Sequence, residues 1–329
     1  MPHPSRREFM QWSALLAAGL ALPGKALAAL RLDDGKPLTA AMGITKKRSV
    51  RLAHLTDFHI QPEKGAFDGV TQCLGHLAQQ KDKPEFIISG GDLVFDSLGT
   101  TDERTKIQWD LYKKVFKDHC NLPVEHCIGN HDCWGWNKKN SKTTGDEPNW
   151  GKKRYLEMIG YPKTYHSFDR GGWKFIQLDS IFPHDTSYIG KLDPEQMTWL
   201  KDELSKSDAK KPICIVSHIP ILSMCAVNSH VSTKGDEFKM GGGAMHLDGA
   251  ELHTLFKEHP NVKACLSGHI HLLDKVEMDG ITYICGGAVC GSWWSGKKDR
   301  SDEGYNLIDL YDDGSIGHEY VTYGWKARD

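Results

Sequence analysis

From Val50 onward, short aliphatic and β-branched runs alternate with stretches in which apolar positions recur every three or four residues. The runs "VRLAHLT", "EFIISG", "VEHCIG", "KFIQLD", "PICIVSH" and "VKACLSG" each end at a polar or glycine-containing turn. Near-continuous apolar runs of this length predict central sheet strands. Val70, Cys73, Leu74, Leu77 and Ala78 follow the i, i+3, i+4, i+7, i+8 rule and predict a helix. Met197, Leu200 and Leu204 predict a second, opened by Asp193 as N-cap and Pro194 at the first helical position. After His271 the texture changes: Asp-Gly turns separate alternating runs in "DKVEMDGITYICGGA" and "GYNLIDLYDDGSIGHEYVTYGW". These predict antiparallel hairpins. The whole pattern is that of a layered α/β (α+β) domain, and 329 residues are enough for one large domain, read here as 49–329.

The N-terminus has a different pattern. In "SRREFMQWSALLAAGLALPGKALAA", Arg6 and Arg7 precede a short apolar stretch and then Ala26-Leu27-Ala28, the charged, apolar and A-x-A order of an export signal. The paired arginines followed by Phe9 resemble a twin-arginine motif, with Met10 where Leu is commoner. Residues 1–28 are therefore expected to be a twin-arginine signal peptide recognised by that export machinery, and 29–48 a tether. The mature chain is expected in the periplasm or secreted. The apolar stretch is too short for a permanent membrane span, and no later segment reaches that length.

Charge narrows the partners further. The chain carries a net charge of -2; removal of Arg6, Arg7, Lys25 and Glu8 with the signal makes the remainder slightly more acidic. Such a chain lacks the basic field that supplies most affinity for nucleic-acid phosphates, which argues against that partner. Nine cysteines follow the signal, with no C-x-x-C spacing, so neither a disulfide framework nor a zinc knuckle is read from them.

Five polar motifs follow five of the predicted strands: "TDFH" (Asp57, His59), "GGD" (Asp92), "GNHD" (Asn130, His131, Asp132), "SH" (His218) and "SGHIH" (His269, His271). Any one of them, taken alone, reads equally well as a turn or a packed histidine. Together, at strand ends that converge on one crevice, they predict a common pocket. Imidazole and carboxylate donors suit Zn, Mn, Fe or Ni. Four histidines, two aspartates and one asparagine exceed what a single tetrahedral ion needs, so two ions sharing a carboxylate are expected.

In this order, the motifs resemble those of the calcineurin-like metallophosphoesterases over residues 50–271. The resemblance implies a four-layer αββα sandwich with a dinuclear centre of divalent or mixed-valence ions. It places Asp57, His59 and His271 on the first ion, Asn130, His218 and His269 on the second, and Asp92 between them. It further implies a hydroxide bridging the ions as nucleophile, with His131 as general acid toward the phosphate ester. The protein-phosphatase branch has an acid three places after the bridging aspartate, where it orients the catalytic histidine. That place is Phe95 here, leaving Asp132 and Asp96 as the acids to orient His131. Purple acid phosphatases have a metal-binding tyrosine at the same place, so Phe95 argues against a purple ferric enzyme.

Three polar loops, 133–150, 224–246 and 286–300, are expected to rim the site. Trp134, Trp136, Trp293 and Trp294 either stack on a flat substituent of the substrate or pack the loops onto the core. Lys297, Lys298 and Arg300 are candidates to attract an anion, and His230 and His246 to approach a phosphate. Long loops bearing tryptophan favour a second ester substituent, and so phosphodiesters. The alternatives are a phosphomonoesterase acting on small metabolites, a mononuclear zinc hydrolase and a metal-containing binding protein without turnover.

Overall fold

The computed structural model describes residues 46–328. The signal read over 1–28 and most of the tether read over 29–48 lie outside the described residues. Arg48, the last tether position, is already strand and pairs with Tyr311.

The chain runs through β1 (Arg48–Leu55), α1 (Ala66–Ala78), β2 (Phe86–Ser89), α2 (Asp102–His119), β3 (Val124–His126), α3 (Lys138–Ser141) and α4 (Lys152–Ile159). It continues through β4 (His166–Arg170), β5 (Trp173–Leu178), β6 (Ile181–His184), β7 (Ser187–Gly190), α5 (Pro194–Ser205), β8 (Ile213–Ser217) and α6 (Met224–His230). The remaining elements are β9 (Val231–Lys234), β10 (Glu237–Met240), α7 (Gly249–Glu258), β11 (Val262–Ser267), β12 (Leu273–Met278), β13 (Ile281–Gly286), β14 (Gly304–Tyr311) and β15 (Ile316–Thr322). One sheet has the order β15-β14-β1-β2-β3 and a second the order β12-β13-β11-β8-β5-β4.

The layering follows from side-chain alternation along strands covered on both faces. Leu52 and Ile88 of the first sheet meet Cys214, Val216, Ala264 and Leu266 of the second in the core between the sheets. Their neighbours Ala53, Leu55 and Ile87 point the other way, onto Val70, Cys73, Leu74 and Leu77 of α1 and Trp109 and Tyr112 of α2. Ile213 and Ile215 of β8 similarly meet Leu200 and Leu204 of α5 and Leu252 and Phe256 of α7. The result is helices, sheet, sheet, helices, the expected αββα order.

Both predicted helices form. In α5 the Asp193 carboxylate accepts from the Gln196 N–H at 2.8 Å and Pro194 fills the first turn, as the sequence indicates. The two C-terminal hairpins also form, β12 with β13 and β14 with β15, both antiparallel. "VEHCIG" yields only three paired residues, Val124–His126, because the chain leaves the sheet edge there to enter the site. All nine cysteines are free thiols. Among the described residues no helix is long and apolar enough to cross a membrane.

Candidate metal centre

The five motifs meet at one edge of the sandwich. Asp57 and His59 follow β1, Asp92 follows β2 and Asn130 opens the turn after β3, three neighbours in the first sheet. His218 follows β8, and His269 and His271 follow β11, neighbours in the second. Two glycines allow this convergence. A Cβ on Gly129 would lie 2.1 Å from the Asp92 backbone nitrogen, and one on Gly268 would lie 2.0 Å from Thr56 Oγ1. The glycines of "GNHD" and "SGHIH" are thus required by close approach of the loops.

The donor atoms fall into two groups with one member in common. In the first, His271 Nε2 lies 3.1 Å from His59 Nε2 and 3.2 Å from Asp57 Oδ1. In the second, His218 Nε2 lies 3.1 Å from Asn130 Oδ1, and the His269 ring sits 5.1 Å from the His218 ring. Asp92 Oδ2 reaches both, at 3.4 Å from His59 Nε2 and 3.2 Å from His218 Nε2. Ligand atoms on bonds of about 2.1 Å, at angles between tetrahedral and octahedral, are separated by roughly 3.0–3.4 Å. His59 Nε2 and Asp57 Oδ1 are wider apart, at 3.9 Å, while the other donor spacings lie in this range, an arrangement that two adjacent cations fit.

Three ring orientations are fixed from behind. The Nδ1 atoms of His59, His271 and His218 face the backbone carbonyls of Phe95, Gly291 and Gly90 at 3.2, 2.5 and 2.8 Å. Such contacts turn each Nε2 inward. Both Asp57 carboxylate oxygens accept from the His269 N–H, at 3.1 and 3.0 Å, Oδ2 also accepts from the Thr56 hydroxyl at 2.7 Å, and Oδ1 faces His271 Nε2 at 3.2 Å.

Electrostatics agree with a cation site. Burial lowers His59 and His269 to about 3, so both are neutral donors near pH 7. Burial opposes a charge on His218 as well, yet Asp92 outweighs it and raises the group to about 9. His271 is also raised, against burial, by Cys290 and Asp57. Burial opposes ionised Asp57 and Asp92 too, but the imidazoles of His271 and His218 hold both below the usual carboxylate range. Without ions, protons on two imidazoles neutralise the buried carboxylates. Five of the seven candidate ligands, Asp57, His59, Asp92, His269 and His271, have φ between 41° and 69°. Left-handed backbone of this kind is sparsely populated by non-glycine residues, and its concentration here marks a functional site.

His131 is half-buried beside the first group, its ring 4.8 Å from that of His59. Asp96 Oδ1 lies 3.4 Å from His131 Nδ1. Burial lowers the His131 pKa, but Asp92 and Asp96 more than offset it and the group is raised. Asp132, the other acid read as able to orient His131, faces backbone amides. Its carboxylate accepts from the backbone N–H groups of Gly129, Leu93 and Asp92 at 2.8, 2.8 and 3.1 Å, so it ties the Asp92 and Asn130 loops together.

The rim differs in part from the sequence reading. Trp134, Trp136 and Trp294 are buried and pack the loops, while Trp293 is half-buried against His271 and His59. His246 is buried, 2.9 Å from the Ser217 hydroxyl and 2.8 Å from Asp248, and so braces the strand end that carries His218. Sequence order does not show this contact, because Asp248 carries no motif and His246 lies 28 positions from the Ser217-His218 pair.

Comparison with known proteins identifies the family. The family model for calcineurin-like phosphoesterases matches residues 50–273. A 3′,5′-cyclic-nucleotide phosphodiesterase of Nostoc sp. is 27% identical over 83% of this chain and 92% of its own length. A 3′,5′-cyclic adenosine monophosphate phosphodiesterase of Haemophilus influenzae is 25% identical, covering 83% and 90%. In fold, a dimetal phosphatase from Danio rerio superposes with a TM-score of 0.53 at 13% identity, over 84% of this chain and all of that one. With the family model spanning well over half its length and the histidines and aspartates placed to hold metal, the chain belongs to the calcineurin-like phosphoesterases and is a metal-dependent phosphoesterase.

Proposed function

We propose that the chain hydrolyses small phosphodiesters at a pair of divalent ions. Asp57, His59 and His271 hold one ion, Asn130, His218 and His269 the other, and Asp92 is shared. The observation that carries this reading is the position of Asp92 Oδ2, within 3.4 Å of imidazoles from both groups. The donor set suits Mn, Fe, Zn or Ni. Bound there, two ions supply the positive charge that activates water and neutralises phosphoryl oxygens. His131, outside both ligand sets and with its pKa raised by Asp92 and Asp96, donates a proton to the leaving oxygen. Asp96 rather than Asp132 orients it, because Asp132 is committed to backbone amides.

The diester preference is supported by the names of the Nostoc and Haemophilus relatives, both cyclic-nucleotide phosphodiesterases. At equal metal loading, bis(4-nitrophenyl) phosphate is expected to be turned over faster than 4-nitrophenyl phosphate. A clear preference for the monoester would overturn the diester reading.

We also propose that residues 1–28 direct twin-arginine export to the periplasm. The carrying observation is the order of Arg6-Arg7, apolar stretch and Ala26-Leu27-Ala28. Cell fractionation should find the chain in the periplasm, and Arg6→Lys with Arg7→Lys should retain it in the cytoplasm. Unchanged export of the double variant rules the motif out.

A further inference from the structure

Of the five tryptophans in the site loops, Trp134, Trp136 and Trp294 are buried, Trp150 packs against Gly135 and Lys138, and Trp293 presents surface beside the candidate ligands. Its indole lies 4.5 Å from the His271 ring at a tilt of 33°, and 5.8 Å from the His59 ring. His59 in turn lies 4.8 Å from His131. Trp293 therefore borders the first group of candidate ligands, whose His59 also adjoins His131, within reach of an ester substituent held at the centre.

The loop holds this indole firmly. The buried Trp294 donates its indole N–H to the carbonyls of Phe58 and His59, both at 3.0 Å. The Gly291 carbonyl faces His271 Nδ1. A Cβ on Gly69 of α1 would lie 2.1 Å from the Trp294 ring, so that glycine makes room for the anchor. Trp293 and Trp294 both have positive φ, 50° and 68°, a conformation bulky side chains rarely keep unless the surroundings impose it. Packing accounts for Trp294. At position 293 the strained indole packs on His271 yet stays half-exposed beside the candidate ligands.

Charge narrows the substituent. Lys298 Nζ lies 5.7 Å from the centroid of the Trp293 ring, and Lys297 and Arg300 are exposed on the same loop. A cationic headgroup would be repelled by these groups, whereas a neutral or anionic flat ring would be accepted. We propose that Trp293 is a specificity-determining platform on which a planar ring substituent of the nucleobase type stacks. The inference rests on the phosphodiester reading above and names the substrate class for that site.

The test uses the metal-loaded full chain and two monoesters, adenosine 5′-monophosphate and ribose 5-phosphate, measured by calorimetry. Stacking of one base predicts roughly ten-fold tighter binding of the nucleotide. Trp293→Leu should bring the ratio of the two affinities near one, Trp293→Phe should keep most of it, and metal content should stay the same in both. Equal binding of the two ligands by the unaltered protein overturns the platform. So does a parallel loss for both ligands in Trp293→Leu. Ring discrimination without hydrolysis of any diester sinks the catalytic reading and leaves the platform standing; diester hydrolysis without ring discrimination does the reverse.

Discussion

Stripping the ions with a chelator is expected to abolish diester hydrolysis and to lower the unfolding midpoint by roughly 10 °C, and returning Mn2+ or Zn2+ to restore both. The activity loss follows because His131 is the only proton donor assigned to the site, and a proton donor alone contributes a small part of a phosphoryl-transfer rate. The stability loss follows from mass action. An ion present at about 100 times its dissociation constant stabilises the folded chain by about 2.7 kcal/mol, so two together contribute about 5 kcal/mol. For a domain of this size each kcal/mol moves the midpoint by about 2 °C. The ions also neutralise Asp57 and Asp92, which are buried. Scanning calorimetry of the stripped and reloaded protein, with metal analysis of each, checks both halves. Full turnover by protein shown to hold no metal would sink the dinuclear assignment, and full turnover at one ion per chain would favour a mononuclear one.

His131→Asn should lower kcat by about 10²- to 10⁴-fold on a diester with an alkoxide leaving group, leaving metal content intact. The loss should shrink on bis(4-nitrophenyl) phosphate, whose leaving group needs little protonation. Asp96→Asn should lower kcat by about 10- to 100-fold, the range for removing a partner that orients a working group. Because Asp96 acts through His131, 3.4 Å away, the double variant should be no slower than His131→Asn alone. Additive losses would separate the two residues. Unchanged turnover of His131→Asn would reduce His131 to a packing residue beside the first metal group.

The two predictions draw on unequal parts of the sequence. The candidate ligands were legible because each follows directly on an apolar run, and strand ends in layered sheets share an edge. Asp57, His59, Asp92, Asn130, His218, His269 and His271 could be named from order alone, and the structure brings all seven together. What orients His131 was not legible. Asp96 and Asp132 are each a few residues from a ligand, and the choice depends on how the two loops cross. The backbone amides that occupy Asp132 come from both loops. The tryptophans were ambiguous for a similar reason: Trp293 and Trp294 are neighbours, yet one is buried under the His59 backbone and the other is not. The small hairpins β6–β7 and β9–β10 also escaped notice, since their sequences lack a continuous apolar face. Pairing of β14 beside β1 joins residues more than 250 positions apart, a separation that local periodicity does not report.

The protonated imidazoles of the ion-free centre have a consequence for how the enzyme is assembled. His218, raised to about 9, and His271, raised by Cys290 and Asp57, must each give up a proton before its inward nitrogen can bind an ion. Loading is then expected to release protons, so that acidification opposes metal binding. A fall in pH is then expected to act on the chain as metal starvation does.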